Sequence, residues 1–329
     1  MNHDNKPAHA HDPEDLVSII IPSYNAAPFI KETLESVFAQ TYTNYQVIVV
    51  NDGSPDTPVF EAILSPWMDR ITYVKQENRG LSGARNAGLR AAKGNLVALL
   101  DADDIWMPDY LEAQTAYLRE HPECDLVYCN CMFFGDSIHS GTDFMASFPS
   151  NGEATPAAII SRRVHIFVSV MARTNALKSI GFDESLRSCE DFDCWIRFTA
   201  AGYKIGYHRK ILIRYRKHAA SLSASSTRMA ESNIQVLTKS LSLWPADSEE
   251  NRLLLEARAR KVAELETIRG KLALESGNPQ AAIDHLLAAN AFHKSYKKAA
   301  IIFLLKLAPA PIALVVKLRR SLFRAYREH

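Results

Sequence analysis

Leu96-Val97-Ala98-Leu99-Leu100-Asp101-Ala102-Asp103-Asp104-Ile105-Trp106 drives five apolar residues straight into three carboxylates. A short, continuous apolar run of this kind reads as a strand buried on both faces. Carboxylates this close repel and raise one another's pKa, so a divalent cation is the natural compensation. The same grammar repeats toward the N-terminus. Val17 to Ile21 is a β-branched run ended by Pro22, and Val47 to Val50 is another, ended by the turn signal Asn51-Asp52-Gly53-Ser54. Ile71 to Val74 reads as a third strand. Between them, Ala27 to Gln40 places Ile30, Leu34, Val37 and Phe38 on one helical face. Val59 to Met68 and Ser82 to Ala92 read as further helices, the latter stopped by Gly94. Alternating strands and helices with near-continuous apolar strands predict a parallel sheet covered by helices on both faces. Ligands of such sheets bind beyond the carboxyl ends of the strands. Ser23-Tyr24-Asn25, Asn51 to Ser54 and Asp101 to Asp104 all follow strands at that edge.

Beyond Pro108 a helix is expected to about His121, then strands over Asp125 to Cys131, Val164 to Met171 and Ile205 to Tyr215. Helices are expected over Asn175 to Ile180 and Glu190 to Ala201. Residues 135–160, rich in Gly, Ser, Thr and Pro, read as a loop over the site. From about Ser225 the chain becomes long helical segments, which puts a boundary among the serines of 221–226. The expected organisation is a disordered tail 1–14, an α/β domain 15–225 and a helical extension 226–329. Within the extension, Ala257 to Ala291, turning at Gly277-Asn278-Pro279, resembles a single tetratricopeptide-type hairpin.

The bulk numbers bound the class. The chain has 329 residues and a net charge of +1, so no global field favours nucleic acid. Five cysteines form no CxxC pair, which suits a reduced, cytoplasmic setting. The opening MNHDNKPAHAHDPED lacks the apolar core of a signal peptide.

Each candidate site residue has a functional and a plain reading. Asp101 and Asp103 follow the strand two apart, where a turn can aim both at one point. Hard oxygen ligands suit Mg²⁺ or Mn²⁺ with positions left for phosphate oxygens. The plain reading is that Asp103 or Asp104 caps the next helix. Asp52 either accepts a hydrogen bond from a base or ribose or makes an Asx turn. Tyr24 either stacks on a base or simply packs. Asn78 to Asn86 opens a helix with glycines and N–H groups that attract anions, and Arg79 or Arg85 would neutralise phosphate. The plain reading leaves both arginines in water. The segment is no Walker A loop, and no GxGxxG follows the first strand. Glu190-Asp191 supplies either helix-dipole partners or a general base at a pocket rim. His218, in Tyr215-Arg216-Lys217-His218, reads first as structural.

Taken together, SIIIPSYNAAPFIKETLESVFAQTY, VIVVNDGSPD, ENRGLSGARNAGL, GNLVALLDADDIW, GFDESLRSCEDFDCWIR and YRKHAASLS resemble the family-2 inverting glycosyltransferases of the GT-A fold. The resemblance runs in order over about residues 16–223. It implies an α/β fold of GT-A type, a mostly parallel nucleotide-binding sheet flanked by helices; the α-helical C-terminal extension read above lies outside the resemblance. It implies transfer from a nucleotide-sugar donor, a UDP-sugar foremost, to a hydroxyl of a glycan or lipid-linked acceptor, as in bacterial-type polysaccharide or cell-surface glycan synthesis. Pro22, Tyr24, Asn25, Asp52, Arg85, Asp101 and Ala102 would line the donor site, Asp52 at the base and Asp101 at the ribose. Asp103 would hold Mn²⁺ or Mg²⁺ on the diphosphate, assisted by His218. Asp191, paired with Glu190, would be the catalytic base, and Trp195 would shape the acceptor side. One rival is a sugar nucleotidyltransferase, which wants a Gly-rich basic loop where Ser23-Tyr24-Asn25-Ala26-Ala27 stands. Another is a non-catalytic carbohydrate- or partner-binding module, which intact Asp101, Asp103 and Asp191 argue against.

The last segments are apolar, Ala299 to Leu305 and Pro311 to Val316, and are interrupted by Lys306, Pro309 and Pro311. Lys317, Arg319, Arg320, Arg324 and Arg327 follow. A spanning helix needs ~20 mostly apolar residues, so this pattern suits a helix lying on an anionic membrane surface. The alternative is packing on the α/β domain or on a second subunit, as in a homodimer.

Overall fold

The computed structural model describes residues 15–136, 140–167, 169–218, 221 and 225–308. The expected tail 1–14 and the apolar and basic segment from Pro309 onward lie outside the described residues. The chain divides into two compact units, Met1–Ser221 and Leu222–His329.

The first unit runs β1 Val17–Ser23, α1 Ile30–Phe38, β2 Tyr45–Asp52, α2 Thr57–Leu64, β3 Ile71–Gln76, α3 Gly80–Ala91 and β4 Leu96–Leu99. It continues β5 Ile105–Trp106, α4 Tyr110–Glu120, β6 Leu126–Gly135, α5 Phe144–Ser147 and α6 Pro156–Ile160. It closes with β7 Val170–Arg173, α7 Thr174–Ile180, α8 Glu190–Ala200 and β8 Ile205–Lys217. All eight strands form one sheet in the order β3-β2-β1-β4-β7-β6-β8-β5. The strands β3, β2, β1 and β4 are parallel, so their carboxyl ends share one edge.

Alternate residues of these strands feed two layers. Val17, Ile19, Ile21, Val47, Val49, Leu96 and Ala98 pack with Leu34 of α1, Phe60 of α2 and Leu111 of α4. On the other face α3 lies so close that a Cβ on Gly88 would sit 2.3 Å from Ile20 Cγ2. A larger residue at 88 would lift the helix off the sheet.

The structure corrects several expectations. The sheet is mostly parallel, with β6 also parallel to β8, but not wholly so: β7 runs antiparallel to β4 and to β6, and β5 antiparallel to β8. Pro22 does not end β1, which continues to Ser23 in register with Asn51. Pairing with β4 stops at Ile20, so one side of Pro22 needs no donor. The strand expected from Val164 begins only at Val170. The irregular stretch after Gly135 contains the short helices α5 and α6. Asp104 does not cap a helix, because β5 intervenes before α4.

The second unit holds α9 Ser226–Ser240, α10 Glu249–Glu275, α11 Pro279–His293 and α12 Tyr296–Leu307. Ser225, Ser248, Asn278 and Ser295 cap them, each side chain accepting from a backbone N–H three residues on. The α10–α11 hairpin turns at Gly277-Asn278-Pro279. Leu274, Ala282, Ile283, Leu286, Ile302 and Leu305 form a core of this unit. Among the described residues no helix is long and apolar enough to cross a membrane. All five cysteines are buried.

Candidate functional site

The end of β2 builds one part of the site. Asn51 Nδ2 donates to Tyr73 Oη (2.8 Å) and Thr57 Oγ1 (2.9 Å), and its Oδ1 accepts from Ser54 N (2.9 Å). Asp52 is buried, and its Oδ1 accepts from Gln76 Nε2 (2.7 Å) and Arg79 N (2.9 Å). Gly53 has φ +63°, and a Cβ there would lie 2.7 Å from Asn78 N. Only glycine lets the β2 end and the Asn78–Gly80 turn press together. The end of β1 is tied to the turn after β2: Asn25, at φ 52°, donates its N–H to Ser54 Oγ at 2.7 Å. Tyr24 stands 51% exposed above this loop, presenting a ring to solvent. Pro22 is buried in β1 opposite Val50.

The end of β4 builds the second part. Asp101 Oδ1 accepts from Arg85 Nη2 at 2.8 Å, and Arg85 Nη1 donates to Glu190 Oε1 at 2.5 Å. Arg85 is 1% exposed, so it bridges two carboxylates from behind and offers nothing to a ligand in solvent. Burial opposes its charge, yet Asp101 and Glu190 raise its pKa above the ordinary arginine value. Glu190 opens α8 after Cys189, whose backbone is left-handed at φ 60°. Asp191 is next, with Oδ1 accepting from Phe192 N at 2.7 Å. Burial and the neighbouring Glu190 charge push its carboxyl up to about 6, against the pull of Arg85. A carboxylate held there can take a proton near neutral pH.

The third part joins the acidic turn to the end of β8. His218 Nε2 lies 2.9 Å from Asp103 Oδ2, and the His218 ring packs against Phe29 at 4.6 Å between centroids. Burial and the Asp101 charge raise the Asp103 pKa, with His218 pulling the other way. Asp104 is fully buried. Its Oδ1 accepts from Arg216 N at 2.9 Å, while Oδ2 has no hydrogen-bond partner. Burial and the two neighbouring aspartates push its pKa well up. Among the described residues no group of three or more His, Cys, Asp or Glu side chains is gathered as a metal cage. The donor set still fits a Mn²⁺ or Mg²⁺ site completed by substrate. One carboxylate and one imidazole meet beside surplus negative charge, leaving positions for diphosphate oxygens and water.

Two expected residues sit differently from their neighbours. The Ala102 side chain is buried in the core and its carbonyl accepts from Thr33 Oγ1 at 2.9 Å. Trp195 is buried on α8, edge-on to Phe182, with Nε1 lacking a partner. Two residues were missed. Arg216 clamps the acidic turn, donating Nε to the Asp103 carbonyl (2.8 Å), N–H to Asp104 and Nη2 to Glu32 (2.5 Å). Its position two residues before His218 was the available signal. Gln76, at the end of β3, anchors Asp52, and no motif marks it.

Comparison with known proteins adds to this geometry. The family profile described as glycosyl transferase family 2 matches residues 18–177. An uncharacterized glycosyltransferase of Rickettsia prowazekii is 33% identical over 221 residues, 66% of this chain and 68% of that one. Residues 1–349 of TarS from S. aureus, solved with UDP, superpose with TM-score 0.60 at 20% identity, covering 95% of this chain and 91% of that one. A Pyrobaculum calidifontis mannosyltransferase, solved with GDP-Man and Mn²⁺, gives 0.59 at 23%, covering 95% and 90%. At these identities the two structures speak for the fold.

Proposed function

Because the chain belongs to glycosyl transferase family 2 and has the mixed, helix-flanked GT-A sheet, we propose that it moves a hexosyl or N-acetylhexosaminyl group with inversion. The donor in this reading is a nucleotide sugar, a UDP-sugar first, and the acceptor a hydroxyl of a glycan or lipid-linked molecule at the cytoplasmic membrane face. Residues 15–225 would be the catalytic domain and 226–329 a helical extension. The observation that carries the reading is the buried Arg85 bridge. It fixes Asp101, on the donor side, relative to Glu190 and hence to Asp191. The UDP-GlcNAc complex of TarS and the GDP-Man complex of the mannosyltransferase support a nucleotide-sugar donor.

In this mechanism Asp52, Tyr24 and Asn25 hold the base and Asp101 the ribose. Asp103 and His218 hold Mn²⁺ or Mg²⁺, which when bound neutralises charge building on the diphosphate. Asp191 takes the proton from the acceptor hydroxyl. That oxygen attacks the anomeric carbon from the face opposite the diphosphate, in one displacement that needs no covalent nucleophile.

The test is a panel of nucleotide sugars with Mn²⁺, reading nucleoside diphosphate release. Asp103→Ala and Asp191→Asn should each lower transfer by about 10²–10⁴-fold. Pyrophosphate release from a nucleoside triphosphate and a sugar phosphate would instead identify a nucleotidyltransferase. Full transfer by Asp191→Asn would overturn the base assignment.

A further inference from the structure

The helix α12 is apolar on two sides but packed on one. Ile302 and Leu305 are buried in the core of the helical unit, with Lys298 half-buried beside them. At about 100° per residue, Tyr296, Phe303, Leu304 and Leu307 fall on the opposite side. They are 93%, 62%, 53% and 66% exposed. Lys297 and Lys306, both exposed, stand on the two flanks of that face. An apolar helix face belongs against an apolar surrounding, and here the second face meets water.

Charge selects the occupant. Residues 285–327 carry nine of the chain's 38 Lys and Arg and none of its 37 Asp and Glu, although the whole chain is only +1. A second copy docking through the same face would bring like charge to like charge. An anionic surface with an apolar interior answers both features.

We propose that α12 lies flat on an anionic lipid bilayer. Tyr296, Phe303, Leu304 and Leu307 insert among the acyl-chain ends, while Lys297 and Lys306 reach the lipid phosphates. This deepens the reading of a lipid-linked acceptor by naming the surface that meets the membrane, and it is tested without turnover.

The full chain is co-sedimented with vesicles of phosphatidylcholine alone and of equal parts phosphatidylcholine and phosphatidylglycerol. Binding is expected to the acidic vesicles only, and to weaken with added salt. Phe303→Ser with Leu307→Ser should cut partitioning ~tenfold or more, as should Lys297→Glu with Lys306→Glu. The substituted side chains are exposed, so both variants should keep the wild-type melting temperature. Equal binding to neutral vesicles overturns the proposal, as does no binding or unaltered binding of the Phe303→Ser/Leu307→Ser variant. A dimer seen by light scattering that this variant breaks apart also overturns it. Nucleoside diphosphate release in free solution should be unchanged in both variants. An inactive wild type that still sediments would therefore sink the transferase reading and leave this one standing.

Discussion

Arg85 holds two carboxylates with one buried guanidinium, and such a triad is stable only while every member stays in place. Arg85→Met leaves Asp101 and Glu190 uncompensated, and urea unfolding should show a loss of about 3–5 kcal/mol. Arg85→Lys keeps the charge but not the fork, so it should lose less stability and still impair transfer. Asp191 makes a pH prediction. With its carboxyl at about 6, kcat/KM should fall as pH drops below about 6 and the base becomes protonated. Its stability effect has the opposite sign. The folded value lies above the unfolded one, so ionisation weakens the fold above about pH 6, and stability returns as pH falls through that value. Asp191→Asn should therefore keep or raise Tm while activity collapses. The carboxylates were legible as a cluster because they follow apolar strands. The side of α3 on which Arg85 lies was not. It falls one turn before Gly88, on the sheet-facing side, which is why the guanidinium bridges from behind instead of meeting a phosphate.

At the scale of elements, α3 is placed by the absence of a side chain. Gly88→Ala should cost about 1–3 kcal/mol by forcing a methyl into Ile20. It should also lower kcat, since Arg85 rides on the same helix one turn earlier. Comparing the melting temperature with nucleoside diphosphate release separates the two effects. The first four strands were readable because three contain dense apolar runs and β3 a short β-branched and aromatic one, each followed by a polar turn. The other half of the sheet was not. An apolar run such as Val170–Arg173 carries no mark of its direction, which comes from insertion between β4 and β6. The two-residue β5 exists only because β8 pairs with it, and the same distant strand gives Asp104 its Arg216 partner. Local propensity could suggest a cap there; a contact across more than a hundred residues decided otherwise.

At the scale of the molecule, a ligand that binds only the folded state raises its stability by mass action. Mn²⁺ with UDP should lift the melting temperature of the whole chain, and His218→Ala should reduce that lift while leaving the metal-free melting temperature nearly unchanged. The change to helical composition near Ser225 was visible in the sequence, as was the hairpin turn at Gly277-Asn278-Pro279. The outward apolar face of α12 was not, because hydropathy alone does not say which side of a helix its neighbours cover. The five buried cysteines have a practical corollary. Burial pushes the thiols of Cys189 and Cys194 up to about 12 and raises the others, so all are held in the thiol form, and none is more than 8% exposed. The natural chain is in effect a blank background for maleimide dyes: a lone thiol introduced on the surface would label by itself, ready for fluorescence or spin-probe spectroscopy without stripping any native cysteine.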